Sequence, residues 1–377
     1  MGVTLSHVSA LEVLRQLRGK GNNVAEMDRI ELRAPSPWKQ ARWSKRLFDN
    51  DVWQWPKPSR ERPLEILVPD TRSRLRMQSV KSHVCSLTLP SKPIIWLDEH
   101  ASMVSPELLF LQMAASFSLP ALVMLGYELC GNFSRDWQDP LFGNAALNVP
   151  AATSVVQIAH LLEIASGTPG TTRAHEALGY VADHALSVPE AVLGTMCSLP
   201  VQESGYGLGP IALNQRIELH ANSSTSKVRA RYPDLLFPFA RVGINYDGEG
   251  HLDLTGLVQA AQEATLAEED EGTAKRKALD KKIAAVREKV VDDLRRTREL
   301  AARGYIVLVA TKEDLNDVDS LDNLIRQILQ CAQHSGLVDT SQVIDSLEDT
   351  ARKRDRRDLL RSLYPTGGST HPKRGSF

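Results

Sequence analysis

Residues 233–248 read Pro-Asp-Leu-Leu-Phe-Pro-Phe-Ala-Arg-Val-Gly-Ile-Asn-Tyr-Asp-Gly, and no other stretch of the 377-residue chain narrows its fold as far. Asp234 leads a short apolar strand, Phe239-Ala240-Arg241 turns the chain, and residues 242–247 form a second apolar strand that ends at Gly248. Antiparallel pairing sets the start of the first strand beside the end of the second, so Asp234 and Asp247 converge. Converging carboxylates repel, and a hard divalent cation such as Mg²⁺ relieves that repulsion. His251, four residues past Asp247, reaches the same place as a neutral imidazole. A structural role is also open to each: Asp234 after Pro233 caps a turn, and Asp247-Gly248 is a common pair at a hairpin end.

The flanking segments extend the pattern. Upstream, Ser187-Val188-Pro189-Glu190 places a cap, a first-turn proline and an acid at the positive end of a helix dipole. Downstream, residues 256–303 are rich in charge. From Lys275 onward their aliphatic residues fall at helical spacing, and the acids at 268–271 with Gly272 predict a break just before. Gly304-Tyr305 ends the helix, and residues 306–311 (IVLVAT) predict a buried strand.

This series resembles the metal-binding core of the PD-(D/E)xK nuclease superfamily, in particular its very-short-patch-repair (Vsr-like) branch. Pro233-Asp234 matches the leading pair, Asp247-Gly248 the second, and His251 lies at the expected distance. Asp293, Arg296, Leu300 and Gly304-Tyr305 match the following helix and its end. The resemblance implies a restriction-endonuclease-like mixed sheet flanked by helices. It also implies a Mg²⁺ (or Mn²⁺) site on Asp234, Asn245 and Asp247, with Glu190 donated by the preceding helix. In that chemistry the metal polarises a DNA phosphate, Asp247 and Glu190 hold waters or orient the nucleophile, and His251 moves the proton. Arg229, Arg231 and Arg296 contact phosphates. One departure stands out: the acid expected two positions before Asp247 is Asn245, a neutral amide.

The amino-terminal half reads differently. A helical pattern with Leu5, Leu11, Val13, Leu14 and Leu17 precedes an arm, residues 36–62, that holds four of the six tryptophans among seven Lys and Arg residues. Such an arm either packs its indoles on a neighbouring domain or stacks them on bases. Strands at 64–70, 80–89 and 92–98 and helices after Ser105-Pro106-Glu107 and Pro120 predict a compact α+β module without an active site. His83 there reads as a hydrogen-bonded structural residue. The strands and the Ser-Pro-Glu helix start resemble abortive-infection antitoxins of the AbiEi type.

The expected order is therefore an N-terminal helix and arm (1–62), a small α+β domain (63–150), connecting helices (151–186), an α/β nuclease-like domain (187–335) with a charged insertion (256–291), and a basic helical tail (336–377) whose end is disordered. A net charge of -1 neither marks nor excludes a nucleic-acid binder, since gripping a duplex needs a basic face and not a basic total. Four scattered cysteines without metal-ligand spacing point to reduced thiols in the cytoplasm. No apolar run is long enough to span a bilayer or serve as a secretory signal. Two functions remain in play: a metal-dependent DNA endonuclease in repair, restriction or phage defence, and a catalytically silent nuclease-fold DNA-binding protein acting as an antitoxin or transcriptional regulator. The charged helix at 275–304 offers a surface for a homodimer or a protein partner.

Overall fold

The computed structural model describes residues 2–35, 58–85, 89–219, 230–238, 240–248, 254–266, 269–334 and 341–365. The core of the tryptophan-rich arm, Arg229, His251 and the end of the tail lie outside these residues. The chain is mixed α/β and divides into two compact units, Met1–Leu213 with Asp345–Phe377, and Asn214–Ile344. Among the described residues no helix is long and apolar enough to cross a membrane.

The first unit is built on a mixed six-stranded sheet of β1 (Val3–Leu5), β2 (Arg29–Ile30), β3 (Leu64–Val68), β4 (Val80–Val84), β5 (Ile94–Trp96) and β6 (Ala101–Val104), in the order β2-β5-β6-β1-β3-β4. β1, at the start of the chain, therefore lies inside the sheet. β1 runs parallel to β6 and antiparallel to β3, and β3 runs parallel to β4. Val3 and Leu5 are buried between strands that come from far along the chain.

Helix α1 (His7–Gly19) follows β1 at once and buries Leu11, Val13, Leu14 and Leu17, the spacing that predicted it. Helices α2 (Pro106–Met113) and α3 (Leu119–Cys130) start at Ser105 and Ser118, whose hydroxyls accept the amides of Leu108 and Ala121, each with a proline in the first turn. Both helices are buried on nearly every face. Arg18, 1% exposed, donates to the carbonyls of Glu128, Gly131 and Pro150, so α1 is fastened to the carbonyl end of α3. Arg15 grips the Glu128 carboxylate with two hydrogen bonds of 2.9 and 2.7 Å.

A small ribbon, β7 (Phe133–Ser134) with β8 (Ala146–Leu147), and helices α4 (Val155–Ile164), α5 (Thr171–Leu178) and α6 (Val188–Ser198) complete this part, and β9 (Ala212–Leu213) closes it. The basic tail belongs here as well. Its helix buries Arg356 against the Tyr206 ring, at 5.4 Å, together with Leu360 and Leu363, so residues 350–363 pack on the first unit.

The second unit holds the hairpin. After a short ribbon of β10 (Ile217–Glu218) and β11 (Ala230–Arg231), strands β12 (Leu235–Phe237) and β13 (Val242–Asp247) pair antiparallel, Leu235 opposite Ile244 and Phe237 opposite Val242. Two helices, α7 (Leu254–Leu266) and α8 (Glu269–Ala301), then cross over to β14 (Ile306–Thr311), which runs parallel to β13 over its whole length. The expected break at 268–271 is instead a boundary ahead of Glu269, and Gly272 lies inside α8. One helical glycine costs only about 1 kcal/mol against alanine, too little to end a 33-residue helix.

Gly304, at φ 78°, makes the left-handed turn that stops α8. Leu300, Ile217 and Leu236 form the local core against Tyr305 and Val307. β14 departs from its prediction: Ile306 and Val309 are 45% and 56% exposed. Its strand partner among the described residues is β13 alone, so alternate side chains face outward from an edge. Helices α9 (Lys312–Asn316), α10 (Val318–His334) and α11 (Ser341–Glu348) follow, and α12 (Thr350–Leu363) is the tail helix described above.

Candidate functional site

The hairpin register sets Asp234 across from Asn245, one step beyond the Leu235–Ile244 pair. The Asp234 amide donates to Asn245 Oδ1 at 3.3 Å. Asp247, two residues on and thus on the same side of the strand, is exposed at the end of β13. The Asp234 carboxylate is already engaged within the fold. Its Oδ2 accepts the Tyr246 amide at 2.7 Å, and its Oδ1 lies 3.3 Å from an Arg296 guanidinium nitrogen. The same nitrogen also donates to the Tyr232 carbonyl. A permanent positive charge thus stands beside the Asp234 carboxylate. With that carboxylate engaged and a neutral amide at 245, the arrangement fits Mg²⁺ or Mn²⁺ poorly, since these ions are held through one or two carboxylates together with waters.

The remaining expected residues are placed as follows. Arg231 is 8% exposed, and its guanidinium contacts both oxygens of Asp292 at 2.9 and 3.0 Å and Glu299 at 2.6 Å, clasping β11 to α8. Burial works against its charge, but the two carboxylates more than offset this and hold its pKa above the usual arginine value. Glu190 lies in the first unit and closes its own helix start: its oxygens accept the Leu186 amide at 2.9 Å and the Ser187 hydroxyl at 2.8 Å. Arg229 and His251 are outside the described residues. The structure therefore brings Asp234, Asn245 and Arg296 together, with Asp247 along the same strand.

Two groupings in the structure were not anticipated. In the second unit Arg216, Arg241 and Arg303 line a pocket of about 300 Å³ with Gln215, Glu218 and Tyr305. Arg241 takes the left-handed conformation, φ 52°, at the tip of the hairpin and lies 5.9 Å over the Tyr305 ring. Glu218 pairs with Arg216, which leaves an excess of positive charge around the pocket. This pocket sits at the start of β13 and β14, and the carboxylates at 234 and 247 sit at the far end, roughly 17 Å away over a six-residue strand.

The second grouping is in the first unit, where His7, Glu65 and His83 bring one potential ligand atom each to within 4.8 Å of one another. It is the only such set of three among the described residues. The His7 and His83 rings stack with centroids 3.7 Å apart. Glu65 Oε2 accepts the Val8 amide at 3.0 Å, so the carboxylate caps α1 from the sheet, and Oε1 faces Lys81 Nζ at 2.8 Å and His83 Nε2 at 3.4 Å. Burial by itself would raise the Glu65 pKa. His83 and Lys81 beside the carboxylate, with the charge of His7, outweigh it and bring the pKa down to about 2. Burial, and next the adjoining His83, lower that of His7 to about 4. At neutral pH the set is one carboxylate beside a neutral His7.

Sequence signals for this set exist only singly: a lone acid inside the apolar run LEILV and one histidine in VKSHV. Nothing in the chain order joins positions 7, 65 and 83. Nearby, Asp98 accepts the amides of His100 and Ala101 and closes a turn. No protein-family model, no curated protein and no solved structure matches the chain.

Proposed function

We propose that the second unit is a restriction-endonuclease-like module that binds DNA with its cleavage position closed. The observation that carries this reading is the Asp234 carboxylate, held between the Tyr246 amide and the Arg296 guanidinium. The order of elements supports the fold: an antiparallel hairpin, a crossover helix and a parallel strand beside the hairpin's second strand. Arg216, Arg241 and Arg303 around one pocket supply the cationic surface that a phosphate backbone needs. Along a strand that pocket lies roughly five base-pair steps from the hairpin's carboxylates, so one short duplex covers both. A protein of this kind acts by occupying DNA, as a regulator or antitoxin does.

Metal-dependent cleavage is the second reading, favoured by Asp234, Asn245 and Asp247 sharing one side of the hairpin. One experiment separates the two. A labelled mixed-sequence duplex is incubated with the full-length protein in Mg²⁺, in Mn²⁺ or in chelator, then followed on native and denaturing gels. The expected result is a salt-sensitive shift, equal with and without metal, and an intact strand. Cleavage that vanishes in Asp234→Ala would establish the nuclease. The absence of any shift at low salt would remove both readings.

A further inference from the structure

We propose that His7, Glu65 and His83 form a binding site for one first-row transition metal ion, with Zn²⁺ as the natural probe. Two imidazole nitrogens and one carboxylate oxygen are the protein ligands, and the remaining coordination is left to solvent. This inference concerns the first unit and is independent of the DNA-binding reading of the second.

The geometry is close to what an ion needs. Zn²⁺ sits about 2.0–2.2 Å from imidazole nitrogen and carboxylate oxygen, which places tetrahedral ligand atoms roughly 3.4 Å apart. The three ligand atoms already lie within 4.8 Å of each other. Closure requires the stacked rings to splay and their nitrogens to converge by about an ångström, a side-chain adjustment that leaves the strands in place.

Structural duty explains only one of the three residues. Glu65 has a task without any metal, since it caps α1 through Val8. The histidines have no such account. His83 Nε2 is buried and, although 3.4 Å from Glu65 Oε1, is too poorly aligned to have a hydrogen-bond partner. A buried polar atom left in this way costs about 1–3 kcal/mol, and a metal ion would satisfy it. His7 adopts φ 48°, a left-handed conformation that side chains other than glycine enter at a cost of about 1–3 kcal/mol. That conformation stacks its ring on His83.

The surroundings orient the ligands. Ser6 occupies the N-cap position of α1, yet its hydroxyl makes no cap bond and instead contacts His7 Nδ1 at 3.1 Å. The helix amides that it leaves are taken up by Glu65, at Val8, and by Gln112 Oε1, at His7, 3.1 Å. Ser6 thus engages one ring nitrogen of His7 and leaves the other for a ligand bond, as outer partners of metal-bound histidines commonly do. Glu65 is anchored through Oε2, which directs Oε1 toward the histidines. Two imidazoles with one carboxylate suit Zn²⁺ and neighbouring divalent ions, whereas Mg²⁺ and Ca²⁺ require oxygen ligands. The His83 side chain retains 22% exposure on β4, the end strand of the sheet, so an ion has a way in.

Lys81 is the internal competitor. Its ammonium pairs with Glu65 Oε1 at 2.8 Å, but its side chain is 59% exposed and can turn into solvent when an ion arrives.

The test uses untagged full-length protein stripped with chelator. It is titrated with Zn²⁺ in a calorimeter and with Co²⁺ under visible absorption. We expect one ion per chain and a ligand-field band for Co²⁺. His83→Ala should weaken binding by at least ~100-fold and Glu65→Gln, which keeps an acceptor for the Val8 amide, by at least ~10-fold. Lys81→Ala should tighten binding several-fold, a change of sign that a merely structural set of residues would not produce. Equal Zn²⁺ affinity in wild type and the His7→Ala/His83→Ala double variant would overturn the proposal. Should the variants not fold, a wild-type protein that gives no Co²⁺ ligand-field band would overturn it as well.

Discussion

Each unit places a carboxylate on a strand and surrounds it with nitrogen, and the kind of nitrogen sets what the carboxylate can do. In the second unit the partner of Asp234 is Arg296, whose guanidinium keeps its charge at any physiological pH and has no lone pair to offer. In the first unit Glu65 faces two imidazoles, and burial keeps His7 neutral and able to donate electrons to a cation. The guanidinium beside Asp234 thus offers no lone pair, while Glu65, although it also pairs with Lys81, faces two imidazoles that can offer them. The pattern that looks like a metal site in the sequence is the guanidinium-held one, and the one with imidazoles carries no sequence motif.

The largest expected effect that tests this contrast comes from acid. The first unit buries its carboxylates deeply. Glu128 would be raised by burial, but Arg15 and then Arg135 and Arg18 overcome this and bring it down to about 2 from an ordinary 4.5. A folded-state value below the unfolded one means that the stabilisation is fully present above pH 4.5 and is lost as pH falls through the folded value. Urea unfolding between pH 7 and pH 2 should show a loss on the order of 3 kcal/mol in the first unit. The second unit should lose less, because Asp292, though also lowered by Arg231, is 52% exposed. Equal acid sensitivity of the two transitions would break the contrast.

The clasp itself comes next. Arg231→Met should destabilise the second unit by about 2 kcal/mol in urea, since it leaves Asp292 and Glu299 without their shared partner. DNA affinity should stay unchanged, because that guanidinium is already committed inside the fold. A smaller effect is expected from converting the closed site into an open one. Asn245→Glu with Arg296→Met replaces an amide by a carboxylate and removes the competing charge, and Mg²⁺ affinity by calorimetry should rise about tenfold over wild type. No gain would mean that Asp247 and the strand geometry, and not Arg296, keep metal away. The smallest effect is expected at the arginine pocket, where Arg303→Ala or Arg241→Ala should each weaken DNA binding about fivefold at every sequence tested. The slope of log affinity against log salt should fall by about 1 per residue removed.

Local patterns carried much of the fold. Apolar runs at 64–68, 80–84, 94–96, 235–237 and 242–247 are strands, and serine-proline starts at 105 and 187 are helix N-termini. Each depends on neighbours a few residues away, which is why it is visible in the chain order. What escaped depends on distant partners. The position of β1 at the centre of its sheet requires β3 and β6, about 60 and 100 residues later. The exposure of β14 follows from which strand ends the sheet, which its own apolar letters do not reveal. Glu190 carried a capping signal and a catalytic one, and its carboxylate serves the cap.

By itself the sequence determined the hairpin of β12 and β13 and the neutral amide at 245, but it set Asp234 against Asp247, whereas the register sets it across from Asn245. Only the tertiary structure decided how these carboxylates are used. Charge neutralisation acts through space over a few ångströms, and the groups that perform it, Arg296 for Asp234 and Lys81 for Glu65, arrive from 62 and 16 residues away in the chain.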